Sequence, residues 1–300
     1  MTARENTARA SARDVPTRFV ELQDRRLAYR RIGTGPALVL CLRFRGIMDD
    51  WDPAFLDALA QCFTVYVFDY SGLGQSTGTP SYRREDMAAD AADLIDALDL
   101  GTVAIGGWSI GGVAAQILAA LHPGKVSHAI LIGSTPPGPQ PHAAEPIFLQ
   151  TALKPHYTLE DEYILFFEPN SAESRAAAAA SHQRIAARQA DRSPPIAEAT
   201  YLDLLKTSHD PKAVFPDPDG RYDAALAVSP VPLLALNGDH DVVFPVENWY
   251  ALNRRWTSLT VLTFPQAGHG PQHQHPQLAA DAIASFVRNT PRANRQQPAG

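Results

Sequence analysis

The alternation of apolar and polar positions opens on a hairpin. RFVELQD and RRLAYRRIG place apolar residues at alternate positions around a polar bend, which predicts two antiparallel strands. After GTGP, ALVLCL is an unbroken apolar run, as expected of a strand buried on both faces. WDPAFLDALAQC returns to helical spacing through Phe55, Leu56, Leu59 and Cys62. FTVYVFDY predicts another buried strand. SYRREDMAADAADLIDALDL predicts an amphipathic helix with Met87, Ala91, Leu94, Ile95 and Leu98 facing inward. Then come the strand TVAIGG, a helix over GGVAAQILAALHPGKV and the strand SHAILIGST. Towards the end, VPLLALNG and LTVLTF are strand-like, and PQLAADAIASFVRNT predicts a closing helix.

Strands that alternate with helices predict an α/β fold with a mostly parallel central sheet and helices on both faces. The alternation is interrupted over residues 136–228. There TPPGPQPH gives way to the helix-like EPIFLQTALK, LEDEYILFFE and SAESRAAAAASHQRIAARQA, with no buried strand. This predicts a helical lid inserted into a core made of residues 17–135 and 229–289. The polar ends, residues 1–16 and 290–300, are expected to be disordered tails.

The composition fits a soluble globular chain, with 45% hydrophobic and 19% charged residues in 300. A net charge of −6 without a basic stripe argues against nucleic acid or an anionic membrane as partner. No apolar run approaches the ~20 residues needed to span a bilayer. The start MTARENTARASARDVPTR has no apolar core of a secretory signal. Cys41 and Cys62, both within apolar runs, are expected as buried reduced thiols, so a cytoplasmic location is predicted. The pattern does not decide between a monomer and a homo-oligomer.

The chemistry concentrates at GGWSIGG, residues 106–112. Gly107-Trp108-Ser109-Ile110-Gly111 fits G-x-S-x-G between a predicted strand and a predicted helix, the context of a strained turn that exposes a serine nucleophile. A serine hydroxyl needs a base, and the base needs an orienting carboxylate. Among ten histidines, His269 in TFPQAGHGP lies between the last strand and the last helix, at the edge where such groups gather. LNGDHDVVFP offers two acids after the strand VPLLAL; Asp241 is preferred and Asp239 kept as the alternative. His273 and His275, near His269, have no interleaved carboxylate or thiolate, and a surface loop explains them better than a metal site. PDPDGRYD lacks the later ligands of a calcium loop and is expected to be a turn.

These motifs, in the order Ser…Asp…His, resemble the α/β-hydrolase superfamily over most of residues 17–289 outside the lid. FDYSGLGQSTG is similar to that family's D-x-x-G-x-G-x-S turn at Asp69, Gly72, Gly74 and Ser76, where it is scaffolding. The resemblance implies Ser109 as nucleophile, His269 as general base and acid, Asp241 as orienting carboxylate and the Ile110 amide as an oxyanion donor. The second donor falls on Phe44. The chain departs from the family there: Leu42-Arg43 stands where a His-Gly pair is usual.

Arg43 and Arg45 either reach the pocket to hold an anionic or carbonyl group, or pair with Asp49, Asp50 or Asp52 nearby. Trp108, Phe166, Phe167, Tyr163 and Phe44 are candidate pocket walls, with core packing as the competing role. The expected function is cofactor-free, metal-free serine hydrolysis of an ester, lactone or similar acyl bond in a small, apolar substrate. A cofactor-free haloperoxidase (perhydrolase) or lyase on the same scaffold, or a non-catalytic ligand-binding relative, are the alternatives.

Overall fold

A computed structural model describes residues 11–207 and 214–290. Eight strands form one sheet: β1 (Arg18–Glu21), β2 (Arg26–Gly33), β3 (Ala37–Cys41), β4 (Thr64–Phe68), β5 (Val103–Trp108), β6 (Val126–Ile132), β7 (Leu233–Gly238) and β8 (Leu259–Phe264). Their order is β1-β2-β4-β3-β5-β6-β7-β8. β1 and β2 form the antiparallel hairpin, β2 also runs antiparallel to β4, and every other pairing is parallel. The continuous apolar runs account for this layout, because β4, β5 and β7 are buried at every position.

The helices are α1 (Pro53–Leu59), α2 (Arg84–Ala97), α3 (Ile110–Leu121), α4 (Pro146–Ala152), α5 (Leu159–Phe166), α6 (Ala172–Ala186), α7 (Glu198–Thr207), α8 (Arg221–Ala227), α9 (Glu247–Tyr250), α10 (Pro271–Gln274) and α11 (Pro276–Asn289). Asp52 starts α1 by accepting the Ala54 amide, with Pro53 at the first helical position. α1 packs on α11, whereas α2, α3 and α8 form a second group with α3 in the middle. The elements α4 to α8 all fall between β6 and β7, and no strand occurs there among the described residues. Because α8 packs on α3, the end of the expected 136–228 lid segment belongs to the covering of the sheet. Residues 208–213 of that segment lie outside the described residues.

Three expectations are corrected. Residues 11–16 are not a free tail. Ser11 donates to Asp57 at 2.7 Å, and the buried Arg188 donates to the carbonyls of Arg13 at 2.6 Å and Val15 at 2.9 Å. These contacts reach residues far along the chain, two of them through backbone carbonyls, and a local polar pattern does not reveal them. Residues 1–10 and 291–300 of the expected tails lie outside the described residues. Cys62 is exposed: it sits past the end of α1, where the helical face no longer meets the core. Cys41 is buried, and burial pushes its thiol up to about 12. His273 is not on a surface loop but buried within α10. Among the described residues no helix is long and apolar enough to cross a membrane.

The FDYSGLGQSTG turn is built around the buried Asp69 carboxylate. It accepts the Met48 amide at 2.8 Å, the Gln75 amide at 2.9 Å and the Ser193 hydroxyl at 2.6 Å. One side chain thereby ties the β4 loop both to the turn after β3 and to the inserted segment. Burial pushes its carboxyl up to about 6.

Candidate active site

β5 ends at Trp108, and α3 begins at Ile110. The residue between them, Ser109, has φ 61° and ψ −125°, a left-handed conformation that a non-glycine residue adopts only when its surroundings enforce it. The enforcement is visible. The Ser109 amide donates to the Ile132 carbonyl at 2.9 Å, and its carbonyl accepts the Ser134 hydroxyl at 2.8 Å. Gly107 permits the turn, because a Cβ there would overlap the Gly111 carbonyl. The Ser109 hydroxyl enters none of these bonds and has no hydrogen-bond partner among the described residues, so the turn is held through its backbone.

His269 comes to the same place from the loop after β8. A Cβ on Gly133, the residue after Ile132, would overlap the His269 carbonyl oxygen and lie 3.1 Å from its Nδ1. His269 Nδ1 and Asp241 Oδ2 are 2.8 Å apart, with both side chains buried. The other Asp241 oxygen accepts the amides of Val243 at 2.8 Å and Phe244 at 3.0 Å, which fixes the carboxylate. Asp239 takes a different partner, the exposed His240 at 2.6 Å. The loop GDHD therefore turns one acid inward and the other outward. A proton on His269 Nδ1, shared with Asp241, leaves Nε2 with a lone pair.

Trp108 adds a further tie. Its indole Nε1 donates to the His269 carbonyl at 2.7 Å. Its ring lies against Phe166 at 5.1 Å and His273 at 4.6 Å between centroids. Arg43 packs into this group, with its guanidinium 5.3 Å from the Trp108 ring and 4.9 Å from Phe166. It donates to Asp50 at 3.0 Å and to the Phe44 carbonyl at 2.8 Å, and its Nε is buried without an acceptor. Arg43 thus pairs with one of the nearby aspartates and at the same time packs against Trp108 of the serine turn.

Arg45 does neither. It donates to the carbonyls of Ala152 at 3.0 Å, Lys154 at 2.7 Å and Pro155 at 2.9 Å, and lies on the Tyr201 ring at 3.9 Å. Its place is as a clasp on the insertion. Phe44 places its ring against Tyr82 at 5.3 Å and Tyr201 at 6.0 Å. The amides of Phe44 and Ile110 take no acceptor among the described residues. Of the remaining wall candidates, Phe166 joins the Trp108 group, Phe167 is fully buried, and no ring contact brings Tyr163 to it among the described residues.

Sequence reasoning missed Trp51, Phe244 and the site role of His273. Trp51 lies 6.0 Å from Trp108, and Phe244 lies 5.5 Å from His269. His273 Nε2 accepts the Asp52 amide at 3.3 Å, so the ring proton is on Nδ1. Burial pushes this imidazole down to about 4, so it is neutral at physiological pH. The Asp52 carboxylate also receives Arg184 from α6 at 2.6 to 3.1 Å, which holds it below the usual carboxylate range against its own burial. The sign of a short helix in this stretch is Pro271, which stands at its first position. Among the described residues no group of three or more His, Cys, Asp or Glu side chains is arranged to hold a metal ion.

A parallel sheet flanked by helices, with a strained serine at a strand-to-helix turn, defines a class, and comparison with known proteins gives the same answer. Residues 36–276 match the sequence model of the family described as alpha/beta hydrolase fold, and the chain belongs to that family. It is 27% identical over 271 residues to a pimeloyl-[acyl-carrier protein] methyl ester esterase of Klebsiella pneumoniae (strain 342), covering 86% of this chain and 96% of that protein. It is also 38% identical over 91 residues to a non-heme chloroperoxidase of Streptomyces lividans, 30% of this chain and 33% of that protein. The matches to haloperoxidases span less than half of those proteins' length. In three dimensions it is similar to an alpha/beta hydrolase fold protein from Chitinophaga pinensis, with a TM-score of 0.79 at 24% identity. That match covers 93% of this chain and all of the other.

Proposed function

We propose that the protein is a cofactor-free serine hydrolase that cleaves an ester, lactone or related acyl bond through an acyl-enzyme. The observation that carries this reading is the buried Asp241–His269 pair at 2.8 Å, whose histidine carbonyl is bonded by Trp108, the residue before a serine held at φ 61°. Asp241 keeps the His269 proton on Nδ1, and Nε2 takes the proton from Ser109 as its oxygen attacks the acyl carbon. The oxyanion that forms is received by the free amides of Ile110 and Phe44, each such donor contributing about 3 kcal/mol to the barrier reduction. His269 then delivers the proton to the leaving oxygen, and water completes the cycle by the same relay.

Trp108, Phe166 and Arg43 are the substrate contacts in this reading, and the helices α4 to α6 act as the lid. The similarity to an esterase over 86% of the chain supports ester chemistry. Two free, separated thiols support a cytoplasmic setting.

A second reading, peroxide-dependent halogenation, draws on the 38% identity to a chloroperoxidase over 91 residues. Hydrolysis of p-nitrophenyl esters, assayed beside peroxide-dependent bromination of a chromogenic acceptor, separates the two. The expected result is ester turnover that Ser109→Ala abolishes, with bromination absent or far slower. Bromination that outpaces ester turnover, or ester turnover that survives Ser109→Ala, overturns the proposal.

A further inference from the structure

One peptide unit stands out in the loop that carries His269. The peptide plane between His269 and Gly270 is held at both ends. Its carbonyl accepts the Trp108 indole N–H at 2.7 Å, and its N–H donates to the Phe166 carbonyl at 2.7 Å. Trp108 belongs to the serine turn, and Phe166 is the last residue of α5 in the insertion. The fixed plane sets the backbone rotation on the carbonyl side of His269. The 2.8 Å bond to Asp241 sets its ring.

The insertion grips the same segment at further points. Gly268 lies directly against the Phe167 backbone, where a Cβ would overlap the Phe167 carbonyl. Ser174 of α6 donates to Gln274 Oε1 at 2.7 Å, and the Gln274 amide in turn holds the Gln266 carbonyl at 2.8 Å. Arg184, also of α6, binds Asp52, whose amide donates to His273. Residues 266 to 274 are therefore strapped to α5 and α6 on one side and to the serine turn on the other. Covering a pocket does not require any of these bonds. They bear on the loop that carries the histidine.

We infer that Trp108 and the α5–α6 arm of the insertion are positioning elements for His269, so that seating the insertion and aligning the histidine are a single event. The inference rests on the reading of Ser109, His269 and Asp241 as a triad. It gives Trp108 a task beyond lining the pocket. A small displacement of a base costs far more rate than stability, since proton transfer depends on alignment.

The test uses full-length Trp108→Phe, which keeps a ring and removes the N–H, and Ser174→Ala, which removes one hydroxyl outside the pocket. Steady-state kinetics on p-nitrophenyl acetate and butyrate, thermal unfolding and the rate of Ser109 labelling by a fluorophosphonate are measured on each. Trp108→Phe is expected to lower kcat about tenfold with KM within about twofold, and to slow labelling in the same proportion. Ser174→Ala is expected to lower kcat about threefold, with the same KM pattern and folding intact.

An unchanged kcat in Trp108→Phe, or a loss confined to KM, makes Trp108 a pocket wall only and overturns its part. An unchanged kcat in Ser174→Ala overturns the part of the insertion. If Trp108→Phe does not fold, Ser174→Ala decides alone. A wild-type protein that the fluorophosphonate does not label defeats the triad reading itself, which is a different failure.

Discussion

Two histidines in the GHGPQH stretch carry the imidazole proton on the same nitrogen, Nδ1, and put Nε2 to different uses. His269 gives its Nδ1 to Asp241 and keeps Nε2 free, whereas His273 accepts the Asp52 amide on Nε2 and keeps its proton on Nδ1. His273 is strongly displaced by its surroundings: burial disfavours its charge most, Asp52 opposes that only in part, and Arg43 and Arg184 add to the burial effect. Its folded value of about 4 lies below the unfolded 6.5, so the unfolded chain binds more protons between those values. The stability it contributes is thus complete above pH 6.5 and is lost as pH falls towards 4, on the order of 3 kcal/mol in all. Asp69, pushed up to about 6, works in the opposite direction, so the comparison must be with a variant. Denaturant unfolding of wild type and His273→Phe at pH 4.5 and 7 is expected to show wild type gaining stability over the variant as pH rises. A constant difference contradicts the assignment. The sequence separated these histidines poorly. Burial of His273 depends on Asp52, Trp51 and α6, residues distant along the chain. The choice between Asp239 and Asp241 was equally a matter of which way one tight loop turns its side chains.

The strand–turn–helix of β5 and α3 was legible, because an apolar run, a glycine-flanked serine and a second apolar run leave few other conformations. The hairpin, the buried strands and the closing helix were legible for the same reason: periodicity is a local property. The insertion was legible as helical but not as a strap. Its contacts fall on backbone carbonyls, such as Phe166 to Gly270 and Ala152, Lys154 and Pro155 to Arg45, and carbonyls have no sequence signature. The 11–16 segment escaped notice for the same reason. At the serine turn the tolerance for change is small. Gly107→Ala forces a Cβ into the Gly111 carbonyl, so the variant is expected to lose about 3 kcal/mol of stability and most of its turnover. Urea unfolding and ester assays check this, and a stable, active Gly107→Ala protein contradicts the account of the turn.

The chain as a whole belongs to a family whose members here carry names from several chemistries, with esterases matched along most of their length and haloperoxidases and a carbamate hydrolase along less than half. Membership therefore leaves the reaction to the site. The resemblance seen in the motifs predicted the family. At the departure, Leu42-Arg43, the Phe44 amide has no acceptor among the described residues, and Arg43 is packed against Trp108 and Phe166 with Asp50 as counter-charge. Everything else in the proposal depends on Ser109 being an activated nucleophile. Incubating the folded protein with a fluorophosphonate and mapping the adduct by mass spectrometry tests that directly. The predicted result is one stoichiometric adduct on Ser109, absent from Ser109→Ala and from urea-unfolded protein. Folded protein that carries no adduct on Ser109 contradicts it.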